Sequence, residues 1–395
     1  MKYLSLAGVI STLLLAACNG GGNLSNWSNS VPVPPPPSGT NYLTIRVTPN
    51  PSGDVCNISN RPCVSLTICS PSSPNVCQTV DNILLDSGST GLRIFGSLLG
   101  NVQLPYANYN GKQLAECVQY GGGAKNWGPI QYANISFDGG TSVNNITMQV
   151  LDSSYAGGGY CGNPVSTPAE FHLNGILGVS QAITDKGNYY SCEGNSCSLL
   201  PSLPESYQLV NPIAAMDKDN NGIIFQLPAL PDGSAANVVG YAIFGIGTEP
   251  NNQPISDIDV YHTEHGENTP FSIPTIFNGK TLHGFLDSGT NALSFNDSSI
   301  PVCGDNIFYC PSQTLNLSAA NLESNGTQIP ISFNVANADS MFNSANTAFN
   351  NTAFPLAKSS PGDFIWGMPF YYGRTVYIGF VGRSSSLGRG PYWAF

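Results

Sequence analysis

Two short segments carry the residues best suited to chemistry. The first is Leu84-Leu85-Asp86-Ser87-Gly88-Ser89, and the second is Phe285-Leu286-Asp287-Ser288-Gly289-Thr290. Each puts an apolar pair before an aspartate and then a hydroxyl, a glycine and a second hydroxyl. An aspartate at the end of a strand is aimed by the turn that follows it. Glycine lets the backbone pass close to a facing group and take dihedrals other residues avoid. Two carboxyls brought within about 3 Å cannot both ionise cheaply, so such a pair shares one proton and can act as base and acid together. One member draws a proton from water while the other donates to a carbonyl, and no metal, nucleotide or covalent intermediate is required.

Taken singly, Asp-Ser-Gly is an ordinary surface turn. The duplication changes the reading. The aspartates are 201 positions apart (287 minus 86), and each half carries a later apolar-apolar-Gly element, Ile176-Leu177-Gly178 and Ile365-Trp366-Gly367. The same elements in the same order indicate a duplicated unit.

The elements around these motifs read as β. Residues 42–47, 130–137, 223–227 and 375–380 alternate or are rich in β-branched and aromatic residues. Turn signals lie at Asp138-Gly139-Gly140, Asn220-Asn221-Gly222 and Asn325-Gly326, and long helical periodicity is absent. A chain of 395 residues exceeds what one core usually holds. An all-β protein of two barrel-like lobes is expected, residues 41–205 and 206–395.

The start of the chain reads as an export signal. Lys2 precedes an apolar run from Leu4 to Ala17, too short to span a bilayer core of about 30 Å. It ends in Leu15-Ala16-Ala17-Cys18, which resembles a bacterial lipobox. Residues 1–17 are then a signal peptide and Cys18 the lipidated first residue of the mature chain. By the same resemblance, Asn19 implies sorting to the outer membrane. Residues 18–40, rich in Gly, Ser, Asn and Pro, read as a tether.

Charged residues make up 9% of the chain and its net charge is −11, which excludes the basic footprint of a nucleic-acid binder. Eleven cysteines less Cys18 leave ten, an even number suited to an oxidising compartment. Cys192–Cys197, Cys303–Cys310 and Cys69–Cys77 would close short loops. Cys56, Cys63, Cys117 and Cys161 supply two more bridges whose pairing stays open. None has zinc-ligand spacing with histidine. Asp217-Lys218-Asp219-Asn220-Asn221-Gly222 starts like a calcium loop but has Pro228 at its twelfth position, so a hairpin turn is expected. His262-Thr263-Glu264-His265 reads as a solvated loop.

Across nearly all of residues 41–395 the chain resembles the pepsin-like aspartic proteases. Both Asp-Ser-Gly segments match that family's paired loops, whose aspartates meet at the lobe interface. Cys117-Val118-Gln119-Tyr120-Gly121-Gly122-Gly123 resembles its flap, a hairpin whose tyrosine closes over substrate. Asn174-Gly175-Ile176-Leu177-Gly178 is similar to its Asp-Gly-Ile-Leu-Gly element. Phe364-Ile365-Trp366-Gly367-Met368-Pro369-Phe370-Tyr371-Tyr372 resembles the run into its last strands. The resemblance implies a two-lobed fold with an interlobe cleft and a divergent bacterial lipoprotein branch. It implies catalysis by Asp86 and Asp287, with Ser87, Gly88, Ser89, Ser288, Gly289 and Thr290 as loop support and Tyr120, Gly121 and Gly122 as flap. The expected activity is endopeptidase cleavage of extended peptides by a lipid-anchored monomer that needs no cofactor. The alternative is a surface lipoprotein that kept the fold and lost turnover. Three departures stand out. Arg93 occupies the region where the family has a tryptophan bonded to the flap tyrosine, so Trp127 becomes the expected partner of Tyr120. The flap has Gly122 where a hydroxyl donor is usual. Both loops use Ser where Thr is commoner.

Overall fold

The computed structural model describes residues 31–48, 55–266, 269–356 and 360–395. The expected signal peptide, Cys18 and the expected tether up to residue 30 lie outside the described residues.

Strand Tyr42–Val47 shows how pattern becomes structure. Leu43, Ile45 and Val47 point inward and are buried, while the residues between them face outward, the period-2 signature of a half-buried strand. It pairs antiparallel with Val238–Phe244, from Tyr42 opposite Ile243 to Val47 opposite Val238. That partner continues into Gly222–Gln226, Thr375–Gly379, Tyr392–Ala394 and Val260–His262. On its other side, Tyr42–Val47 leads through Cys63–Ser70 into the first-half strands. One sheet therefore runs through both halves of the sequence, and Phe137 of the first meets Phe244 of the second at 4.8 Å between ring centroids. The second half holds a further sheet, from Gln328–Val335 through Leu315–Leu322, Thr269–Phe277 and Lys280–Leu286 to Asp363–Trp366. Among the described residues, helix is confined to short pieces such as Pro168–Phe171 and Ala338–Phe342.

The duplication is visible in the strands. Gly175–Val179 lies between the strand entering the Asp86 loop, parallel to it, and the strand leaving that loop, antiparallel to it. In the second half Asp363–Trp366 stands in the same relation to Lys280–Leu286 and Leu293–Ser294. Each apolar-apolar-Gly element is thus the central strand beneath an aspartate loop. The glycine closing it has a steric reason. A Cβ on Gly178 would sit 2.6 Å from the Thr90 nitrogen, and one on Gly367 would sit 2.1 Å from the Ala292 carbonyl oxygen.

Five disulfides form. Besides Cys192–Cys197, Cys303–Cys310 and Cys69–Cys77, the open pairings resolve as Cys56–Cys63 and Cys117–Cys161. The hairpin at Asp138-Gly139-Gly140 joins two long strands, and Asn325-Gly326 joins two more. Two local expectations are corrected. The Asp217–Gly222 turn feeds strand Gly222–Gln226 from irregular chain and so joins no hairpin. The 262–265 stretch is not a loop: Val260–His262 pairs with Tyr392–Ala394, and Glu264–Gly266 pairs with the following strand. The described end of the expected tether is laid against the body, with Val31 buried and the Tyr241 hydroxyl donating to the Pro34 carbonyl at 2.9 Å.

Candidate active site

The two aspartate loops meet face to face. Ser87 N–H donates to Ser288 Oγ at 3.0 Å, and Ser288 N–H donates to Ser87 Oγ at 2.9 Å. Ser288 Oγ then donates to the Leu85 carbonyl at 2.8 Å and Ser87 Oγ to the Leu286 carbonyl at 3.1 Å. Four bonds cross between the loops in a near-symmetric exchange. Since Ser87 Oγ has spent its hydrogen on Leu286, the fully buried Tyr371 hydroxyl, 2.8 Å away, is the donor to it.

This exchange brings Asp86 and Asp287 together at a site where they are 2% and 5% exposed, near enough for the Asp86 charge to act on the Asp287 carboxyl. Each carboxylate is also held by its own loop. Asp86 accepts from Gly88 N–H at 2.8 Å and from the Ser89 hydroxyl. Asp287 accepts from Gly289 N–H at 2.8 Å, Thr290 N–H at 3.2 Å and Thr290 Oγ1 at 2.7 Å. The glycines are required by space. A Cβ on Gly88 would sit 2.7 Å from Asp287 Oδ1, and one on Gly289 would sit 2.5 Å from Asp86 Oδ1. Burial, then the Asp86 charge, push the Asp287 carboxyl up to about 7 against the opposing bonds from Thr290 and Gly289. The pair therefore shares one proton over the acidic range.

Tyr120 stands at the tip of the hairpin formed by Lys112–Gln119 and Lys125–Phe137, with Gly121, Gly122 and Gly123 in the turn. Tyr120 N–H donates to the Ala124 carbonyl, and Gly123 N–H to the Tyr120 carbonyl, each at 2.9 Å. The tyrosine is buried, and Asp86 is among the charges acting on its hydroxyl. Its support differs from the expectation. Asn126 Nδ2 donates to its hydroxyl at 3.2 Å, and its ring lies against Phe171 at 5.8 Å. Trp127 instead donates to the Tyr155 carbonyl and packs on Tyr160 and Tyr190. Neighbouring residues on a strand face opposite ways, so Asn126 and Trp127 could not both serve Tyr120. Cys117–Cys161 staples the flap strand to the loop after residue 157.

Three participants were missed by sequence reasoning. Tyr371 lies inside the run from Phe364 to Tyr372, yet nothing there marks its hydroxyl as reaching Ser87. Asn60, in the Cys56–Cys63 loop, donates to the Phe349 and Asn291 carbonyls and accepts from Phe349 N–H and the Tyr372 hydroxyl, bridging residues from opposite ends of the chain. Arg93 stood out in the sequence only as a departure. Buried, its Nη2 meets carboxyl oxygens of Glu116 at 3.0 Å and Asp185 at 2.8 Å.

The fold and the paired loops define an all-β protein of pepsin-like architecture. The chain belongs to the family described as Protein of unknown function (DUF3443), which matches residues 37–395. No curated protein matches it. Among solved structures it is similar to basic 7S globulin from soybean, at 12% identity and a TM-score of 0.48, over 90% of this chain and 94% of the globulin.

Proposed function

We propose that this protein is an aspartic-type endopeptidase. The observation that carries the reading is the buried approach of Asp86 and Asp287, locked by the Ser87–Ser288 exchange, and in this reading their shared proton sits on Asp287. With that proton in place the negative charge of the pair rests on Asp86. A water between the carboxyls loses a proton to Asp86 as its oxygen attacks the scissile carbonyl carbon, while Asp287 donates to the carbonyl oxygen. The resulting diol collapses when the C–N bond breaks and the proton on Asp86 passes to the leaving amine. The diol proton returns to Asp287, so the pair regains its starting state. An extended peptide laid beneath the Tyr120 hairpin would bind as an added strand. Leu15-Ala16-Ala17-Cys18 supports lipid attachment to the cell envelope and Asn19 supports the outer membrane, while the duplicated Asp-Ser-Gly segments support residues 41–205 and 206–395 as two lobes of a monomer.

The test is digestion of a peptide library from about pH 3 to about pH 7, with and without the transition-state mimic pepstatin. Wild type should cleave and be inhibited, and Asp86→Asn and Asp287→Asn should not cleave. Equal residual cleavage by all three would overturn the reading and leave an inert binding lipoprotein in its place.

A further inference from the structure

A second buried carboxyl pair lies at the root of the flap, and the reaction above makes no use of it. Arg93 stands on the strand that leaves the Asp86 loop, and Glu116 on the flap strand four residues before Tyr120. Arg93 Nη1 donates to the Thr90 carbonyl at 2.8 Å. Its Nη2 faces both Glu116 oxygens, at 3.0 and 3.2 Å, and Asp185 Oδ2 at 2.8 Å. Glu116 is fully buried and Arg93 is 2% exposed. A Cβ on Gly187 would lie 2.2 Å from Glu116 Oε1, so the third side of the cluster is closed by backbone.

Glu116 Oε1 and Asp185 Oδ2 converge on the same Arg93 nitrogen, at 3.0 and 2.8 Å, and two carboxyls crowded onto one donor are best accommodated when one of them holds a proton. Donors identify its owner. Asp185 Oδ1 already accepts the Tyr189 hydroxyl and Gly187 N–H, and its Oδ2 accepts Arg93. Glu116 is therefore the acid, and burial pushes its carboxyl well above the ordinary range although Arg93 opposes this. The other groups facing the cluster add no balancing cation. Tyr189 and Tyr120 are phenols whose burial raises them further, and the next group beyond Tyr120 is the carboxyl of Asp86.

We infer that Glu116 is a positioning residue for the flap, carrying the proton that lets a single guanidinium satisfy two carboxyls. When that proton leaves, two anions face one cation in a dry site, which favours separation of the cluster. Relief comes by parting the flap strand from Arg93 and admitting water, which unseats Tyr120. The flap is then seated at acid pH and loosened as the pH rises. The consequence for catalysis rests on the peptidase reading, but the flap movement does not.

The test is hydrogen–deuterium exchange of residues 117–124 in the full-length protein without substrate, corrected for the intrinsic pH dependence of exchange. In wild type, exchange should rise about tenfold or more between about pH 5 and about pH 8. Glu116→Gln and Asp185→Asn each leave one cation facing at most one anion, so their corrected exchange should be flat. A rise in Glu116→Gln equal to that of wild type would overturn the inference. A second measurement needs no variant at the cluster. Infrared spectra of the Asp86→Asn/Asp287→Asn protein at mildly acid pH should retain the band of a protonated buried carboxyl, and its absence would overturn the inference too. In cleavage assays, wild-type KM should climb on the alkaline side with kcat little changed, and Glu116→Gln should suppress that climb. If exchange behaves as stated while wild type cleaves nothing, the peptidase reading fails and the Glu116 assignment stands. If wild type cleaves while flap exchange is independent of pH, the Glu116 assignment fails and the peptidase reading stands.

Discussion

Ser87 and Ser288 exchange hydrogen bonds so that each backbone N–H ends on the other's hydroxyl, and each hydroxyl ends on a carbonyl of the opposite strand. The geometry of the Asp86–Asp287 pair is thus set by groups that do not take part in proton transfer. Ser288→Ala should leave two buried partners, Ser87 N–H and the Leu85 carbonyl, unsatisfied. A loss of about 2–4 kcal/mol is expected at about 1–2 kcal/mol per orphaned group. Urea unfolding followed by intrinsic fluorescence measures it, and a loss below about half a kcal/mol would refute the role given to this serine.

Asp287 gives the pH dependence of stability. Its folded carboxyl is raised to about 7 from an unfolded value of about 3.9. The folded protein therefore binds more protons than the unfolded one between those values, and stability falls as pH rises through that window. The contribution is fully present below about pH 4 and gone above about pH 7. Asp287→Asn should flatten this slope and leave the folded state more stable near neutrality. Thermal melts at several pH values check both statements.

Gly88→Ala and Gly289→Ala each push a methyl into a carboxylate of the opposite loop. Both should abolish cleavage and lower the melting temperature, because the clash falls on the groups that hold the loops together. An alanine variant with wild-type activity would show that the loops can spread without loss.

Asn60 ties the Cys56–Cys63 loop to residues 291, 349 and 372. Asn60→Ala strands several buried donors and acceptors at once and should reduce stability by about 3 kcal/mol or more. Asn60→Asp keeps the acceptor oxygen but loses the donors, so it should fall between wild type and alanine. Chemical denaturation of the three proteins gives the order.

All ten cysteines after Cys18 are paired, and thiol labelling of denatured, unreduced protein should find none free. Replacing Cys117 and Cys161 by serine should raise exchange in the flap before it affects global unfolding, since that bridge holds one flap strand to its neighbouring loop.

What could be read from the chain was what repeats or alternates. The duplicated Asp-Ser-Gly segments announced themselves because chemistry and sterics constrain consecutive positions. Tyr42–Val47 was legible because one face is core and the other is not. The pairing of Cys56 with Cys63 and Cys117 with Cys161 was not legible, since it depends on which strands lie side by side. Tyr371 and Asn60 act across more than 280 positions (371 minus 87; 349 minus 60), and nothing in their neighbours records a partner so distant. Arg93 shows a subtler failure. Its type marked a departure from the pepsin-like pattern, but its meaning lay in Glu116 and Asp185, which only the fold brings to it. The misassigned Trp127 was an error of parity: the adjacent position faces Tyr120.

The sheet in which Tyr42–Val47 lies against Val238–Phe244 has a consequence for the order in which the protein is made. A ribosome or export channel delivers the first strand some two hundred residues before its partner, and Tyr392–Ala394, in the same sheet, arrives last. Until Val238–Phe244 arrives the early strand has an open edge, the kind of template that pairs with other chains. Contacts of such sequence separation also form slowly, because loop closure precedes any reward from them. Asp86 can therefore meet Asp287 only late in the chain's emergence. A truncated chain ending before residue 287 holds half of the carboxyl pair and leaves Gly222–Gln226 without its partner Thr375–Gly379, and so is prone to aggregate and unable to perform the proposed hydrolysis.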